Sequence, residues 1–170
     1  GNTYQAIGDL NIAKDYYRKS IAIQSNYAPA LTNLGILELQ ASNQEEALSL
    51  LIQATESEPK LAPTWSNLAN GYIQLDKEKE AKAACIKAIE LNPNLFKPHF
   101  LLASILNGQK HFIEAERSSR KAIELKPDFA EAHYNLGIIL NNLGKLEEAK
   151  ISTFKAIEIK PDFASAYLHL

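Results

Sequence analysis

The stretch AEAHYNLGIILNNLGKLEEAKISTFKAIEIKP, residues 130–161, decides the fold, because the chain repeats it. FKPHFLLASILNGQKHFIEAERSSRKAIELKP (96–127) and APTWSNLANGYIQLDKEKEAKAACIKAIELNP (62–93) align with it without a gap, each offset by 34 residues. Working outward, Pro59, Pro93, Pro127 and Pro161 share that spacing, as do Ala13, Ala47, Ala81, Ala115 and Ala149. Leu34, Leu68, Leu102, Leu136 and Leu170 form a third column, and Ala54, Ala88, Ala122 and Ala156 a fourth. A fifth is small throughout: Gly1, Gly35, Ala69, Ala103 and Gly137. Several columns at one shared period mark internal repeats. The copies run 28–61, 62–95, 96–129 and 130–163, with partial copies at 1–27 and 164–170.

Each copy reads as two helices. Leu136, Ile139, Leu140 and Leu143 recur three and four apart, and Ala149, Ile151, Ala156 and Ile159 do so in the next segment. Gly144 lies between them, suited to a helix C-terminus. Pro161 ends the second helix, because proline disfavours helix in the residue ahead of it. Asp128 and Glu131 have capping-box spacing and predict a helix start at Asp128. First helices are expected near 28–41, 62–75, 96–108, 130–143 and 164–170. Second helices are expected near 11–24, 45–57, 79–91, 113–125 and 147–159. The small columns let paired helices approach closely: Gly137 is expected to face Ala149, and Ala156 to admit the following first helix. One such hairpin cannot bury its apolar face alone, so the copies must stack.

Composition narrows the function. Lys and Arg total 18 against 20 Asp and Glu, a formal net charge of −2, which argues against a nucleic-acid binder. Cys85 is the only cysteine, so neither an intrachain disulfide nor a cysteine zinc cluster can form. No apolar run approaches the ~20 residues of a membrane-spanning helix. The sequence lacks methionine and reads as an excerpt of a longer array. Its apolar end residues Tyr167, Leu168 and Leu170 could then stack end to end in the isolated fragment.

The pattern resembles the tetratricopeptide repeat, a 34-residue unit with W-x₂-L-G-x₂-Y…A-x₃-F…P. Trp65, Leu68, Ala69, Tyr72, Ala81, Cys85, Ala88 and Pro93 fill it in one copy. His133, Leu136, Gly137, Leu140, Ala149, Thr153, Ala156 and Pro161 fill it in another. The resemblance implies an all-α, right-handed superhelical solenoid of antiparallel helix pairs, here one array over 1–170. It also implies a concave surface made by the first helices, where ligands lie.

On that surface the resemblance places Asn33, Asn67 and Asn135 in one column, interrupted by Leu101. Asn70, Asn107, Asn141 and Gln74 fall in neighbouring columns, with Phe100 and Tyr134 as apolar anchors. An asparagine offers a donor and an acceptor and can pair with a peptide bond whatever side chain it carries. The column is similar to the asparagine ladder of O-GlcNAc transferase-type repeats. Lys97 is the only basic residue in these columns, so no clamp for an acidic C-terminus is formed.

Chemistry finds little support. His99 and His133 sit where an aromatic normally packs, with no second ligand three or four residues away on the same helix. Glu45, Glu46, Glu147 and Glu148 begin second helices, where the dipole favours acids. Lys87, Lys121 and Lys155 each precede a Glu by three residues and read as a solvated outer face. The segment is therefore expected to be a cytoplasmic scaffold or adaptor without cofactor, metal or catalysis, binding protein or peptide rather than nucleic acid or membrane. The alternative is the substrate-recruiting region of a glycosyl-, methyl- or sulfotransferase encoded on the same chain.

Overall fold

The computed structural model describes residues 10–169. Among them all regular structure is helical: ten helices and no strand. The chain divides into two compact units, Gly1–Leu91 and Asn92–Leu170. The column members Gly1 and Leu170 fall outside the described residues.

The first unit contains α1 (Leu10–Ile23), α2 (Ala28–Gln40), α3 (Gln44–Ser57), α4 (Ala62–Gln74) and α5 (Glu78–Leu91). Helices α2 and α3 form one hairpin and α4 and α5 another, with α1 packed on α2 and α3 on α4. Its core holds Ala13, Tyr17, Leu34 and Leu37 at one level and Leu39, Ala47, Leu51 and Leu68 at the next. The second unit contains α6 (Phe96–Gly108), α7 (Phe112–Leu125), α8 (Ala130–Asn142), α9 (Leu146–Ile159) and the short α10 (Ala164–Tyr167). There α6 pairs with α7 and α8 with α9, while α7 packs on α8 and α9 on α10. Ala103, Leu106, Ala115 and Ile139 form one core cluster, and Leu136, Leu140 and Ala149 another.

The alanine columns are buried for the reason the sequence suggests. Ala13, Ala47, Ala81, Ala115, Ala54, Ala88, Ala122 and Ala156 are all fully buried. A β-carbon added at Gly137 would meet the Ala149 carbonyl oxygen at 3.2 Å and the Thr153 side chain. At Gly35 it would meet Leu51 and the Ala47 carbonyl. Larger residues there would force the paired backbones apart.

The turns repeat as closely as the helices. The residue after each first helix's C-cap has positive φ: Ser42 (63°), Asp76 (54°), Lys110 (61°) and Gly144 (73°). Only the last is the glycine this conformation favours. The residue before the repeat proline is extended at Glu58 (φ −131°, ψ 74°), Lys126 (φ −142°, ψ 86°) and Lys160 (φ −132°, ψ 90°), which is what a following proline imposes.

Two sequence expectations are corrected. Helix α8 starts at Ala130, not Asp128, and no side chain caps it. The residue ahead of it is Phe129, whose ring packs edge-on against Phe96 and Phe100 at 5.1 and 4.9 Å. That packing occupies Phe129 in an extended conformation (φ −92°, ψ 92°), so the helix cannot begin earlier. Ile151, counted by spacing on the apolar face of its helix, is instead exposed. The buried side of α9 is Ala149, Thr153 and Ala156.

Candidate peptide-binding face

In the first unit, α2 and α4 carry the expected amides. Asn33, Asn67 and Asn70 are half-buried, whereas Gln74 at the end of α4 is exposed. The Gln74 carbonyl accepts a bond from Gln44 Nε2 at 3.2 Å. Thr32 and Ser66, one residue before Asn33 and Asn67, are buried and their hydroxyls make no hydrogen bond.

The second unit is built differently. Leu101, which interrupts the asparagine column, is buried. Asn135 is nearly buried and donates through Nδ2 to Ser104 Oγ at 3.2 Å, which in turn donates to the Phe100 carbonyl at 3.2 Å. Asn142 Nδ2 donates to Asn107 Oδ1 at 3.1 Å. These bonds cross from α8 to α6, so polar side chains of successive first helices bond to one another, and at Asn107–Asn142 both are amides. The Asn107–Asn142 bond does not use the Asn107 Nδ2 hydrogens or the Asn142 Oδ1. Asn141 is exposed beside it.

The anchors Phe100 and Tyr134 are half-buried rather than open. Phe100 meets Phe129, and Tyr134 meets Phe163 at 5.0 Å and His169 at 5.8 Å. Lys126 lies over Phe96 and Phe129, and Lys160 over Phe163; such contacts are attractive for a cation on a ring face. The residues missed here, Phe129 and Phe163, precede first helices. Their signal was the apolar column Tyr27, Leu61, Leu95, Phe129 and Phe163. Burial pushes the Lys97 ammonium below the ordinary lysine range.

A buried carboxylate also escaped the sequence reading. Glu38 on α2 is fully buried and accepts bonds from Lys14 Nζ (2.7 Å), Arg18 (3.0 Å) and Asn43 Nδ2 (2.7 Å). Burial alone would raise its pKa. The hydrogen bonds from Lys14 and Asn43 and the charges of Lys14 and Arg18 outweigh that, holding the carboxyl below the usual carboxylate range. Asn43 precedes α3 but does not cap it with its side chain. Its amide is spent on Glu38. The signal was a charge in the column otherwise held by Tyr72, Leu106 and Leu140.

In the second unit Glu116 accepts from Arg120 (2.9 Å) and Lys145 (2.8 Å), and Arg120 also reaches Glu148 (2.7 Å). Against the opposing effect of desolvation, those bonds and charges lower the Glu116 carboxyl. The expected lysine–glutamate pairs are present at Lys87–Glu90, Lys121–Glu124 and Lys155–Glu158.

The chemical candidates are structural. His99 and His133 donate from Nε2 to proline carbonyls. Cys85 is fully buried, and burial pushes its thiol up to about 12, leaving almost no thiolate at neutral pH. Among the described residues no group of three His, Cys, Asp or Glu side chains is placed to hold a metal. No helix among them is long and apolar enough to cross a membrane.

Antiparallel helix pairs of fixed length, repeating every 34 residues with small residues between them, define a helical-repeat protein. Family models described as tetratricopeptide repeat match residues 1–27, 62–95 and 96–129, and residues 120–151. The chain belongs to the tetratricopeptide repeat family. No curated protein matches it. Among solved structures it is similar to TTC0263, a thermophilic protein of the same repeat class from Thermus thermophilus. That match has 20% identity, TM-score 0.80, and covers 99% of this chain and 92% of that one. It is also similar to MamA, with 22% identity, TM-score 0.78, and 97% and 96% covered. A third is YrrB, described as a TPR protein with an unusual peptide-binding site, with 24% identity, TM-score 0.74, and 98% and 86% covered.

Proposed function

We propose that the chain is a protein-interaction scaffold that holds an extended peptide on the first-helix face of its units. The observation that carries this reading is the Asn107–Asn142 pair on successive first helices, where a spare donor beside a spare acceptor matches one peptide group. The peptide-binding site ascribed to YrrB agrees with it. Asn33, Asn67, Asn70 and Gln74 would serve in the first unit, and Asn107, Asn135 and Asn141 in the second. Phe100 and Tyr134 add apolar contact at their half-exposed edges.

Energetics set the affinity. A hydrogen bond contributes about 0.5–1.5 kcal/mol net, and micromolar binding needs about 8 kcal/mol. A few amides alone bind weakly, so several must act together with the rings. The test is capture on an array of unrelated peptides. Changing Asn33, Asn67 and Asn135 together to alanine is expected to leave helical circular dichroism nearly intact and to weaken binding to every captured peptide alike. Capture equal to wild type would sink the reading.

A further inference from the structure

We propose that α9 is a self-association face, onto which a second copy of this chain lays its own α9 antiparallel, beside the groove between α7 and α9. This surface is separate from the first-helix face and does not rest on the peptide reading. At 100° per residue, the side of α9 opposite Ala149, Thr153 and Ala156 carries Glu147, Ile151, Phe154 and Glu158, flanked by Lys150 and Lys155. Ile151 is 69% and Phe154 58% exposed. The adjoining groove has a volume of about 700 Å³ and is lined by Ile123 and Leu136 as well as by those two residues. Ile151 and Phe154 form the exposed apolar edge of that groove, and the same edge on a second copy offers it an apolar counterpart.

Charge selects the occupant. In an antiparallel pair centred on Phe154, the residue four before it faces the residue four after it in the other copy. Lys150 then faces Glu158 of the second copy, and symmetry makes the contact twice. Their present partners are exposed neighbours on the same helix, Glu147 at 3.3 Å and Lys155 at 3.0 Å. Such pairs are worth little and exchange readily. The neighbouring helix cannot do the same. The corresponding positions of α7 are Glu116, Arg120 and Glu124, which would set glutamate against glutamate. Helix α5 has Lys82 and Glu90 around Ile86 but only Ala83 where α9 has Ile151.

Sedimentation of the whole chain between about 10 µM and 1 mM, the range of weak association, tests this. Wild type is expected to dimerise, and Phe154→Glu to stay monomeric with unchanged circular dichroism. Lys150→Glu is expected to raise the dissociation constant about tenfold, since like charges then face each other. Adding Glu158→Lys to it restores opposite charges in both contacts and is expected to recover wild-type association. A monomeric wild type overturns the proposal. So does a dimer that survives Phe154→Glu, a charge swap that recovers nothing, or a dimer lost on Ile86→Glu.

Discussion

The indole N–H of Trp65 donates to the carbonyl oxygen of Pro59, six residues back, at 2.9 Å. His99 Nε2 makes the same bond to Pro93 (2.9 Å), His133 Nε2 to Pro127 (2.9 Å) and the Tyr167 hydroxyl to Pro161 (3.1 Å). The column therefore accepts any ring with a donor at its far edge. It ties α4, α6, α8 and α10 to the turns before them, while α2 has Leu31 in this place and makes no such bond. A carbonyl has no proton to give, so Nε2 of both histidines carries one. Nitrogen-15 NMR is expected to show the Nε2–H tautomer for neutral His99 and His133. The Nδ1–H form would contradict the bond. His133→Phe keeps a ring but loses the bond, at an expected cost near the low end of about 0.5–1.5 kcal/mol, because water can serve the exposed carbonyl. Chemical denaturation reads it.

Glu38 makes the first unit acid-sensitive. Its folded pKa lies below its unfolded one, so its contribution is complete above the unfolded carboxyl range, about 4.3. That contribution is lost as pH falls through the lowered folded value. Glu116 acts in the same direction in the second unit. Glu38→Gln is expected to cost about 3 kcal/mol at neutral pH, since it leaves the largely buried Lys14 without its counter-charge. It should also flatten the acid limb of the stability–pH curve. An unchanged acid limb would show that another group controls it.

Lys110 sits at φ 61° where Gly144 occupies the equivalent turn. A left-handed conformation costs a side chain about 1–2 kcal/mol, while glycine gives back about 0.4–1 kcal/mol in unfolded-state entropy. Lys110→Gly is therefore expected to stabilise the chain by somewhat under about 1 kcal/mol. A lower melting temperature would refute the balance.

Ala115 is fully buried between α6 and α7 and packs near Ala103, Leu106 and Ile139. Ala115→Leu adds an isopropyl group where no space exists. The expected cost is about 1–3 kcal/mol. Thermal unfolding at an unchanged temperature would show that the hairpin can open to admit it.

The helices were legible almost to the residue because one constraint, close approach at alanine and glycine, recurs at every copy. The capping-box reading failed because Phe129, whose ring meets Phe96 and Phe100 at the other end of its own copy, holds the chain extended just after Asp128, a contact that local spacing does not reveal. Glu38 was missed because periodicity marks its position as core without saying that a charge there can recruit Lys14, Arg18 and Asn43. The amide columns were legible as residue types. That Asn135 bonds Ser104 while Asn142 bonds Asn107 depends on rotamers, which spacing does not determine.

The packing order of the helices has a kinetic consequence. Within each unit, the packed pairs join helices that are adjacent or one apart along the chain. Every closure that folding requires is therefore short, and short closures carry little entropic penalty. Chains dominated by local contacts fold in microseconds to milliseconds. A hairpin such as α2–α3 or α8–α9 can form before distant parts of the chain meet. Growth then proceeds by adding the next helix to a surface already made, so each unit is expected to assemble quickly, one layer upon another.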